Sequence, residues 1–440
     1  MMFFSWMKQV YNKYRWLVMN LIGIIFMCVG VLLIYKNQSP AFVVLSIISI
    51  LLAGFFIYVS VQFITVDLIN GLMGSNNVSS FGKDRLNYLI NEKKISVKGP
   101  KIVVIGGGTG LSTMLRGLKL HSPNITAIVT VADDGGGSGV LRQDLGILPP
   151  GDIRNCILAL ADTEPIMEKL LQYRFPDGML KGQSFGNLFL AAMDGISTSF
   201  EEAVRRMSDV LAVTGRVLPV TLQDVQLCAE LEDGFIICGE SRIGNHNDFH
   251  KGKIKRVYME PAAIEPLKEA IDAINEADII VLGPGSLYTS IIPNLIVDGI
   301  SEAIKASRAA KIYVCNVMTQ PGETEGYTVA DHIKAIEKHS CKDIIDYCII
   351  NRADIPENLR KKYIEDGANT VSFDVDEIEK LSIKIIEGDF VTISNNYIRH
   401  DTTKLAQAIM DVAFEKIFTR NKKSKISYYY VRERLKNLVG

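Results

Sequence analysis

Paired cysteines, histidine clusters and catalytic serine motifs are all missing from this sequence. Its seven cysteines form no CxxC pair and no regular framework, so we expect buried thiols in a reducing compartment. There are six histidines and no nucleophile-elbow motif for any of them to serve, so no Ser-His-Asp set can be proposed. His246 and His250 have the spacing of helical metal ligands, but they lie in a loop-like stretch, which disfavours a zinc site.

Acidic residues are missing from the first 66 residues, which carry four basic ones. This segment holds two uncharged apolar runs, residues 16–35 and 41–66, and each is long enough to cross a bilayer as a helix. The short link between them fits only a tight hairpin, so both outer ends face the same compartment. Basic residues flank both outer ends, which places that compartment in the cytoplasm. The alternative is a buried helical hairpin of a soluble protein.

A strong net charge is missing as well. The formal net charge of -1 argues against nucleic-acid binding as the main role. We divide the chain into a transmembrane hairpin (1–66), a juxtamembrane linker (67–98), a nucleotide-binding domain (99–418) and a basic tail (419–440). The tail either lies on anionic lipid or is a solvated end. This division predicts a multi-pass protein of the cell membrane with its globular domain in the cytoplasm.

From residue 100 to about residue 420, short β-branched runs alternate with amphipathic helical runs. This alternation is typical of an α/β fold with a Rossmann-like, mostly parallel sheet and helices on both faces. We predict strands at 101–105, 125–131, 278–282, 311–316 and 344–350. Ligands of such sheets bind beyond the carboxyl ends of the strands, so the loops after these runs are the candidate site.

The first of these loops is rich in glycine. Residues 101–111 read KIVVIGGGTGL, which predicts a buried strand, a glycine turn and the start of a helix. Glycines let backbone N–H groups approach a phosphate at a helix N-terminus. Leu111 stands where a dinucleotide fingerprint has its third glycine, which weakens the hypothesis of an NAD-dependent oxidoreductase. The lysine of a Walker loop is also missing. The loop predicts an anionic, nucleotide-like ligand, although a turn without a ligand would show the same pattern.

Charged residues follow in the next two loops. Asp133 and Asp134 precede a polyglycine stretch and could hold a ribose hydroxyl or a divalent cation, or belong to a mobile acidic loop. Farther on, Asp152 is placed to cap a helix, and Arg154 can fork onto a phosphate.

Three later loops add polar groups. Residues 182–187 form another glycine-fronted helix start and end in Asn187. A further glycine loop offers Gly285 and Ser286 to a phosphate and Tyr288 to a base, and the loop after the next strand supplies Asn316 and Thr319. We expect all these loops to share one phosphate-binding rim.

Taken in order, these loops resemble a known family. They contain GGGTGLSTMLRGLK, VADDGGGSG, PPGDIRN, QSFGNL, GPGSLYTSIIPNL and NVMTQPGET. From about residue 101 to about residue 418 the chain is similar to the YvcK branch of the CofD-like proteins, the gluconeogenesis factors. The resemblance implies binding of UDP-sugars such as UDP-N-acetylglucosamine, and roles in cell-wall precursor supply, cell shape and gluconeogenic growth. The founding enzyme of the wider family is a 2-phospho-lactate transferase that uses a nucleotide-activated donor with Mg2+.

The resemblance also implies roles for individual residues. The residues that it assigns to binding of the diphosphate are Gly107, Gly108, Thr109 and Gly110. It places Asp133 and Asp134 at the acceptor or metal end and Asn187 in the wall of the cleft. Tyr288 and Arg399 are the residues that it assigns to binding of the UDP-sugar. Gln183 stands where relatives usually have histidine, which removes an acid–base group from that loop.

Two hypotheses follow. We favour a membrane-tethered, UDP-sugar-binding regulator, with an enzyme of amino-sugar metabolism as its expected partner. The alternative is a CofD-like transferase that moves a phosphoryl-linked group from a nucleotide-activated donor, with Asp134 or Asp152 as the base and Mg2+ at Asp133 and Asp134. The sequence leaves open the nucleotide sugar, the partner protein and the formation of a homo-oligomer.

Overall fold

The computed structural model describes residues 20–33, 39–72, 99–162, 165–373, 377–378, 380–394 and 396–420. These residues belong to two compact units, which are described separately. Most of the predicted linker, residues 73–98, and the predicted basic tail from residue 421 lie outside the described residues.

The N-terminal unit consists of two apolar helices, α1 (Asn20–Leu33) and α2 (Pro40–Leu72). They contact each other through hydroxyl groups: Ser46 Oγ donates to the carbonyl of Gly30 at 2.5 Å, and Ser49 Oγ to that of Phe26 at 2.7 Å. Among the described residues only Pro40–Val61, with a mean hydropathy of 2.7, is long and apolar enough to span a membrane. The described residues therefore contain one candidate span, and the predicted two-helix hairpin is not confirmed, since residues 16–19 and 34–35 of its first span lie outside them. Helix α2 extends into the predicted linker as far as Leu72.

The described part of the second unit contains twelve strands. They are β1 (Ile102–Gly106), β2 (Ile125–Val129), β3 (Arg216–Pro219), β4 (Gln226–Leu231), β5 (Ile236–Cys238), β6 (Ile254–Glu260), β7 (Ile279–Leu282), β8 (Ala310–Val314), β9 (Tyr347–Asn351), β10 (Lys384–Gly388), β11 (Val391–Ser394) and β12 (Tyr397–His400).

Helices lie between most of these strands in the order of the chain. They are α3 (Gly108–Leu118), α4 (Gly136–Leu145), α5 (Gly151–Leu160), α6 (Pro165–Gln172), α7 (Phe185–Gly195), α8 (Phe200–Val210), α9 (Glu240–Gly244), α10 (Lys268–Glu276), α11 (Ile292–Leu295), α12 (Ile300–Ala306), α13 (Val329–His339), α14 (Glu357–Glu365) and α15 (Thr402–Arg420).

A seven-stranded sheet in the order β10-β9-β8-β7-β1-β2-β3 forms the core, and every pair in it is parallel. All residues of β1, β2 and β7 are buried, as expected of strands that helices cover on both faces. The predicted α/β fold with a large parallel sheet is confirmed, and the five predicted strands are all in it. The sequence missed β3 and β10, which are short strands at its two edges.

Two smaller sheets were not predicted. Strands β5, β4 and β6 form an antiparallel sheet in that order, and β11 pairs with β12 as a hairpin. Cys228 on β4 lies opposite Cys238 on β5, and the two form a disulfide. The expectation of seven free thiols is therefore wrong for this pair, because the register of β4 and β5 brings together two cysteines whose sequence spacing shows no pattern.

The order of the large sheet changes direction next to β1. The chain proceeds from β1 to β2 and β3 on one side, and from β7 to β8, β9 and β10 on the other. From β1 and β7 the chain therefore continues towards opposite edges of the sheet, and the crevice at the carboxyl ends of these two strands is where open α/β sheets bind ligands.

Candidate functional site

Two glycine loops touch at this crevice. Ile105 of β1 pairs with Leu282 of β7, and each strand runs directly into glycines. A Cβ atom on Gly110 would lie 2.6 Å from the carbonyl oxygen of Pro284, so only glycine allows the two backbones to approach this closely. The amide of Asn294 ties the loops together by donating to the carbonyl oxygens of Gly106, at 3.2 Å, and Ser290, at 2.8 Å.

The glycine loop also forms the N-terminus of α3. Gly107 is the N-cap residue and has no side chain to accept from the first amides of the helix. Gly108 has φ +68°, which glycine adopts without strain. The first turn of α3 therefore presents backbone N–H groups and the positive end of the helix dipole to the crevice.

Asp152, in the first turn of α5, faces this helix end. The carboxylate accepts a hydrogen bond from the backbone N–H of Gly108, and a Cβ on Gly107 would lie 2.7 Å from Oδ2. The N-cap of α5 itself is Pro150, so Asp152 does not cap its own helix as the sequence suggested. Burial and the nearby Asp133 carboxylate raise the pKa of Asp152 to about 7, against the opposing effects of Gly108 and Arg154.

The adjacent carboxylates of Asp133 and Asp134 point to different partners. Asp133 Oδ1 accepts from the N–H of Gly135 at 2.9 Å, and Oδ2 lies beside Gly151 at the start of α5. Asp134 Oδ1 accepts from the N–H of Ser241 at 2.9 Å, in the first turn of α9. Asp133 therefore belongs to the acidic side of the crevice with Asp152, whereas Asp134 binds the small antiparallel sheet and α9 to the rim.

Glu240 and Glu323 add two carboxyl groups to the acidic side of the crevice, and neither was predicted from the sequence. Burial, followed by the charges of Asp133 and Asp152, raises the pKa of Glu240 to about 8. Glu323 is buried, and its carboxylate accepts from the N–H of Tyr288 and from Thr289 Oγ1, both at 3.0 Å. Burial also raises the pKa of Glu323. Within the described part of the chain, no three His, Cys, Asp or Glu residues are arranged as a metal-ligand set.

Arg154, on the same helix as Asp152, and two amide side chains form a basic and amide-rich part of the rim. Arg154 is buried, and its Nε donates to Asn187 Oδ1 at 3.1 Å. Burial, with help from Arg174, lowers the pKa of Arg154 to about 10, so it remains charged at neutral pH. Ser184 caps α7 by accepting from the N–H of Asn187. The Oε1 atom of Gln183 is buried and has no hydrogen-bond partner among the described residues.

The loop after β8 completes the rim. Asn316 Nδ2 donates to the carbonyl of Gly285 at 2.8 Å, and Gln320 Nε2 donates to Ser286 Oγ at 2.7 Å. Thr319 is buried, and its Oγ1 accepts from the N–H of Asn369 at 2.9 Å. The structure thus brings Asn316, Gly285 and Ser286 together and uses Thr319 to hold its own loop.

Comparison with known proteins assigns the chain to a family. The model of the CofD family, described as 2-phospho-L-lactate transferase CofD, matches residues 102–391. A "Putative gluconeogenesis factor" of Clostridium acetobutylicum is 49% identical over 442 residues, which cover 99% of this chain and 97% of that protein. The chain belongs to the YvcK branch of the CofD family. The resemblance stated from the loop motifs is confirmed.

Other relatives of this YvcK-branch protein match only part of it. The gluconeogenesis factor of Bacillus subtilis is 51% identical over 317 residues, which cover 72% of this chain and 99% of that protein. A crystal structure of a Bacillus halodurans protein aligns with a TM-score of 0.69 at 47% identity, and covers 71% of this chain and 99% of that one.

Two residues that the resemblance assigned to the UDP-sugar are placed differently in this YvcK-branch protein. The Tyr288 side chain is buried, with its hydroxyl 2.8 Å from that of Tyr327 and its ring edge-on to His339. It therefore does not face the crevice, and stacking on a base does not fit this position. Arg399 lies exposed on β12 with its guanidinium 5.6 Å from the ring centre of Tyr397, and no described contact joins it to the glycine loops.

His246 and His250 serve local structure. The two ring nitrogens of His246 lie 2.8 and 2.9 Å from the carbonyl oxygens of Ile243 and Gly252. His250 Nε2 lies 2.6 Å from Asp233 Oδ2. These contacts occupy the atoms that a zinc ion would need.

Proposed function

We propose that this protein is a UDP-sugar-binding regulator, with UDP-N-acetylglucosamine as the type of ligand, that adjusts cell-wall precursor supply, cell shape and gluconeogenic growth. The contact of the β1 and β7 glycine loops at the N-terminus of α3 is the observation that carries the proposal. A diphosphate fits there because the first turn of α3 supplies backbone N–H groups, of which that of Gly108 now donates to Asp152, and Arg154 supplies a positive charge. The names of the relatives support the link to gluconeogenesis.

The sugar end of the ligand fits the neighbouring wall. Gln183 Oε1 is a buried acceptor without a donor among the described residues, and such an atom costs roughly 1–3 kcal/mol. A sugar hydroxyl or an acetamido N–H would satisfy it. Asn187 and Ser286 offer further polar groups on the two sides of the crevice.

Magnesium is part of the proposal. Asp133, Asp152 and Glu240 would repel a bare diphosphate when ionised, and burial followed by their mutual repulsion raises the pKa values of Asp152 and Glu240. A divalent cation with oxygen ligands would remove this repulsion. Asp133 and Asp152 fit as its ligands better than the pair Asp133 and Asp134, because the Asp134 carboxylate is bonded to α9.

One observation favours the second candidate, a CofD-like transferase. A general base works best with a pKa near the operating pH, and the pKa of Asp152 is about 7. Gln183 in place of the usual histidine argues against catalysis, since it removes an acid–base group from the rim. We therefore place the regulator first and the transferase second.

The remaining parts of the proposal concern location and partners. Pro40–Val61 is proposed to anchor the protein in the cell membrane, with the CofD-like unit in the cytoplasm. The proposed partner is an enzyme of amino-sugar metabolism, and a homo-oligomer is compatible with this role.

Calorimetry on the full-length protein in detergent tests the proposal. UDP-N-acetylglucosamine, UDP, UMP and uridine are titrated with and without Mg2+, and the same mixtures are followed by phosphorus NMR in the presence of candidate acceptors. The regulator predicts binding that needs the diphosphate and improves with Mg2+, without any new phosphorus signal. Turnover would favour the transferase, and equal binding of uridine and UDP would contradict both.

A further inference from the structure

A groove runs along the free edge of the small antiparallel sheet. Strand β6 pairs with β4 on one side only. The N–H of Val257 points away from β4 and donates to His339 Nε2 at 3.1 Å. Because backbone groups alternate in direction along an antiparallel ladder, the N–H and carbonyl of Met259 point to the same free side as those of Val257.

The C-terminal end of α13 covers only the first part of this edge. Lys338 Nζ donates to the carbonyl of Lys255 at 2.5 Å, next to the bond between His339 and Val257. Beyond these two bonds, the described residues outside the ladder supply no hydrogen bond to the backbone of Met259. Among the described residues, the N–H and carbonyl of Met259 on this edge are therefore unpaired.

The groove has a volume of about 490 Å³ and is lined by both apolar and basic side chains. Met259, Ile264 and Ile296 are apolar lining residues, and Arg256 and Lys338 are basic ones. None of the described residues that line it is acidic.

The charge along this edge is positive even after its ion pairs are counted. Lys255 and Arg256 share the single carboxylate of Glu230, at 2.6 and 2.7 Å. Lys338 donates to a carbonyl and adds a further positive charge. On the other side of the groove the Asp298 carboxylate accepts from the N–H of Ile264. Glu260, the exposed last residue of β6, adds a second carboxylate to that of Glu230. The three cations of the edge therefore exceed its two carboxylates by one, and the edge of β6 is the more basic side.

We propose that this groove binds an extended, acidic peptide segment of a partner protein, which pairs with β6 as an added strand. The N–H and carbonyl of Met259 and the carbonyl of Val257 supply the backbone pairing, as in other sheet-edge recognition, while the N–H of Val257 stays bonded to His339. The apolar lining takes alternate side chains of the peptide, and the basic edge selects acidic residues between them. The binding itself does not depend on a nucleotide.

A contact between His339 and Tyr288 connects the groove to the phosphate-binding rim. His339, which holds the β6 edge, packs edge-on against Tyr288 at 5.7 Å between ring centres. The N–H of Tyr288 in turn donates to Glu323 at the acidic side of the crevice. A partner in the groove would therefore contact His339, which in turn contacts the loop that borders the rim.

The test begins with a random-peptide display library panned against the full-length protein without nucleotide. Enriched peptides are synthesised and titrated by fluorescence anisotropy. We expect alternating apolar and acidic residues, and we expect N-methylation of alternate backbone nitrogens to weaken binding by about tenfold or more, because it removes the ladder hydrogen bonds.

Matched variants locate the binding. Lys338→Glu should weaken binding about tenfold, whereas Lys305→Glu, at an exposed lysine that also donates to a backbone carbonyl, should not. Ala262→Trp, at a lining residue, should block the groove without altering the β6 edge. The proposal is overturned if no peptide is enriched, if N-methylated peptides bind equally well, or if inorganic phosphate displaces the peptides completely, which would indicate a small-anion pocket.

Discussion

Asp152 combines a raised pKa with a position beside the proposed diphosphate site. Its carboxylate faces the N-terminus of α3, close to the place proposed for the diphosphate. Two anions cannot share this place without a proton or a cation between them. Asp152 therefore links the stability of the protein, its magnesium requirement and its affinity for a nucleotide.

The first prediction concerns Asp152→Asn. An acid whose pKa is higher in the folded protein than in the unfolded chain favours folding while protonated, so its contribution is lost as pH rises from 3.8 to about 7. Asparagine keeps an acceptor for the N–H of Gly108 and has no charge. We expect the variant to be more stable than the wild type at pH 8, by on the order of 1–3 kcal/mol, and nearly equal at pH 4. Urea denaturation at the two pH values measures this, and a variant destabilised equally at both would contradict it.

The second prediction concerns Gly110→Ala. The added methyl group would meet the carbonyl of Pro284 and force the two glycine loops apart. We expect the affinity for UDP-N-acetylglucosamine to fall by about tenfold or more, which corresponds to about 1.4 kcal/mol or more. The control is Gly195→Ala, since a methyl group there meets no atom within 4 Å. Calorimetry on the two variants decides, and similar affinities would show that the loop contact does not form the site.

At the scale of elements, the long buried strands could be predicted from sequence and the direction of single side chains could not. Strands β1 and β7 are nearly continuous runs of Ile and Val, which is a clear strand signal in the sequence. Tyr288 could not be placed because the π-helical turn Leu287–Ile291 after the glycine loop directs it inward, towards Tyr327. Glu240 was missed because it follows β5, whose three residues have no periodic signal.

The loops that form the rim were predicted as a group but not in their individual roles. Their glycine content and their position after strands were visible in the sequence. Asp133 and Asp134 bind different partners because α9 supplies the N–H group that Asp134 accepts from. Thr319 holds its own loop because it accepts from Asn369, which is far away in the chain. Such pairings are fixed by tertiary contacts and leave no local pattern.

The third prediction tests the packing of α3 against α15. A Cβ on Gly117 would overlap the carbonyl oxygen of Thr402 and press on Ala406. Alanine gains up to about 1 kcal/mol of helix propensity over glycine, but overpacking costs about 1–3 kcal/mol. We expect Gly117→Ala to lower the free energy of unfolding, measured by urea denaturation. A stabilised variant would mean that α15 does not lie against α3.

At the scale of the whole molecule, the N-terminal unit is expected to decide where the protein is found. Leu45 and Leu51 are exposed on α2 within the candidate span. Each lysine at the centre of a spanning helix costs about 2.5–3.5 kcal/mol, so Leu45→Lys with Leu51→Lys should move the protein from the membrane fraction to the soluble fraction.

The control for this fourth prediction is Leu120→Lys, at an exposed leucine of the CofD-like unit, which should leave the distribution unchanged. Quantitative immunoblotting of carbonate-washed membranes measures both variants. If the double variant stays in the carbonate-washed membranes, α2 is not the anchor.

The central claim is that loops far apart in the chain converge to hold one diphosphate. A crystal structure of the protein with UDP-N-acetylglucosamine and Mg2+ tests it most directly. The account predicts phosphate oxygens within hydrogen-bond distance of the backbone N–H groups of Gly108 to Gly110, with Arg154 and Ser286 nearby. A ligand bound elsewhere, for example beside Arg399 on β12, with the glycine loops unchanged, would contradict it.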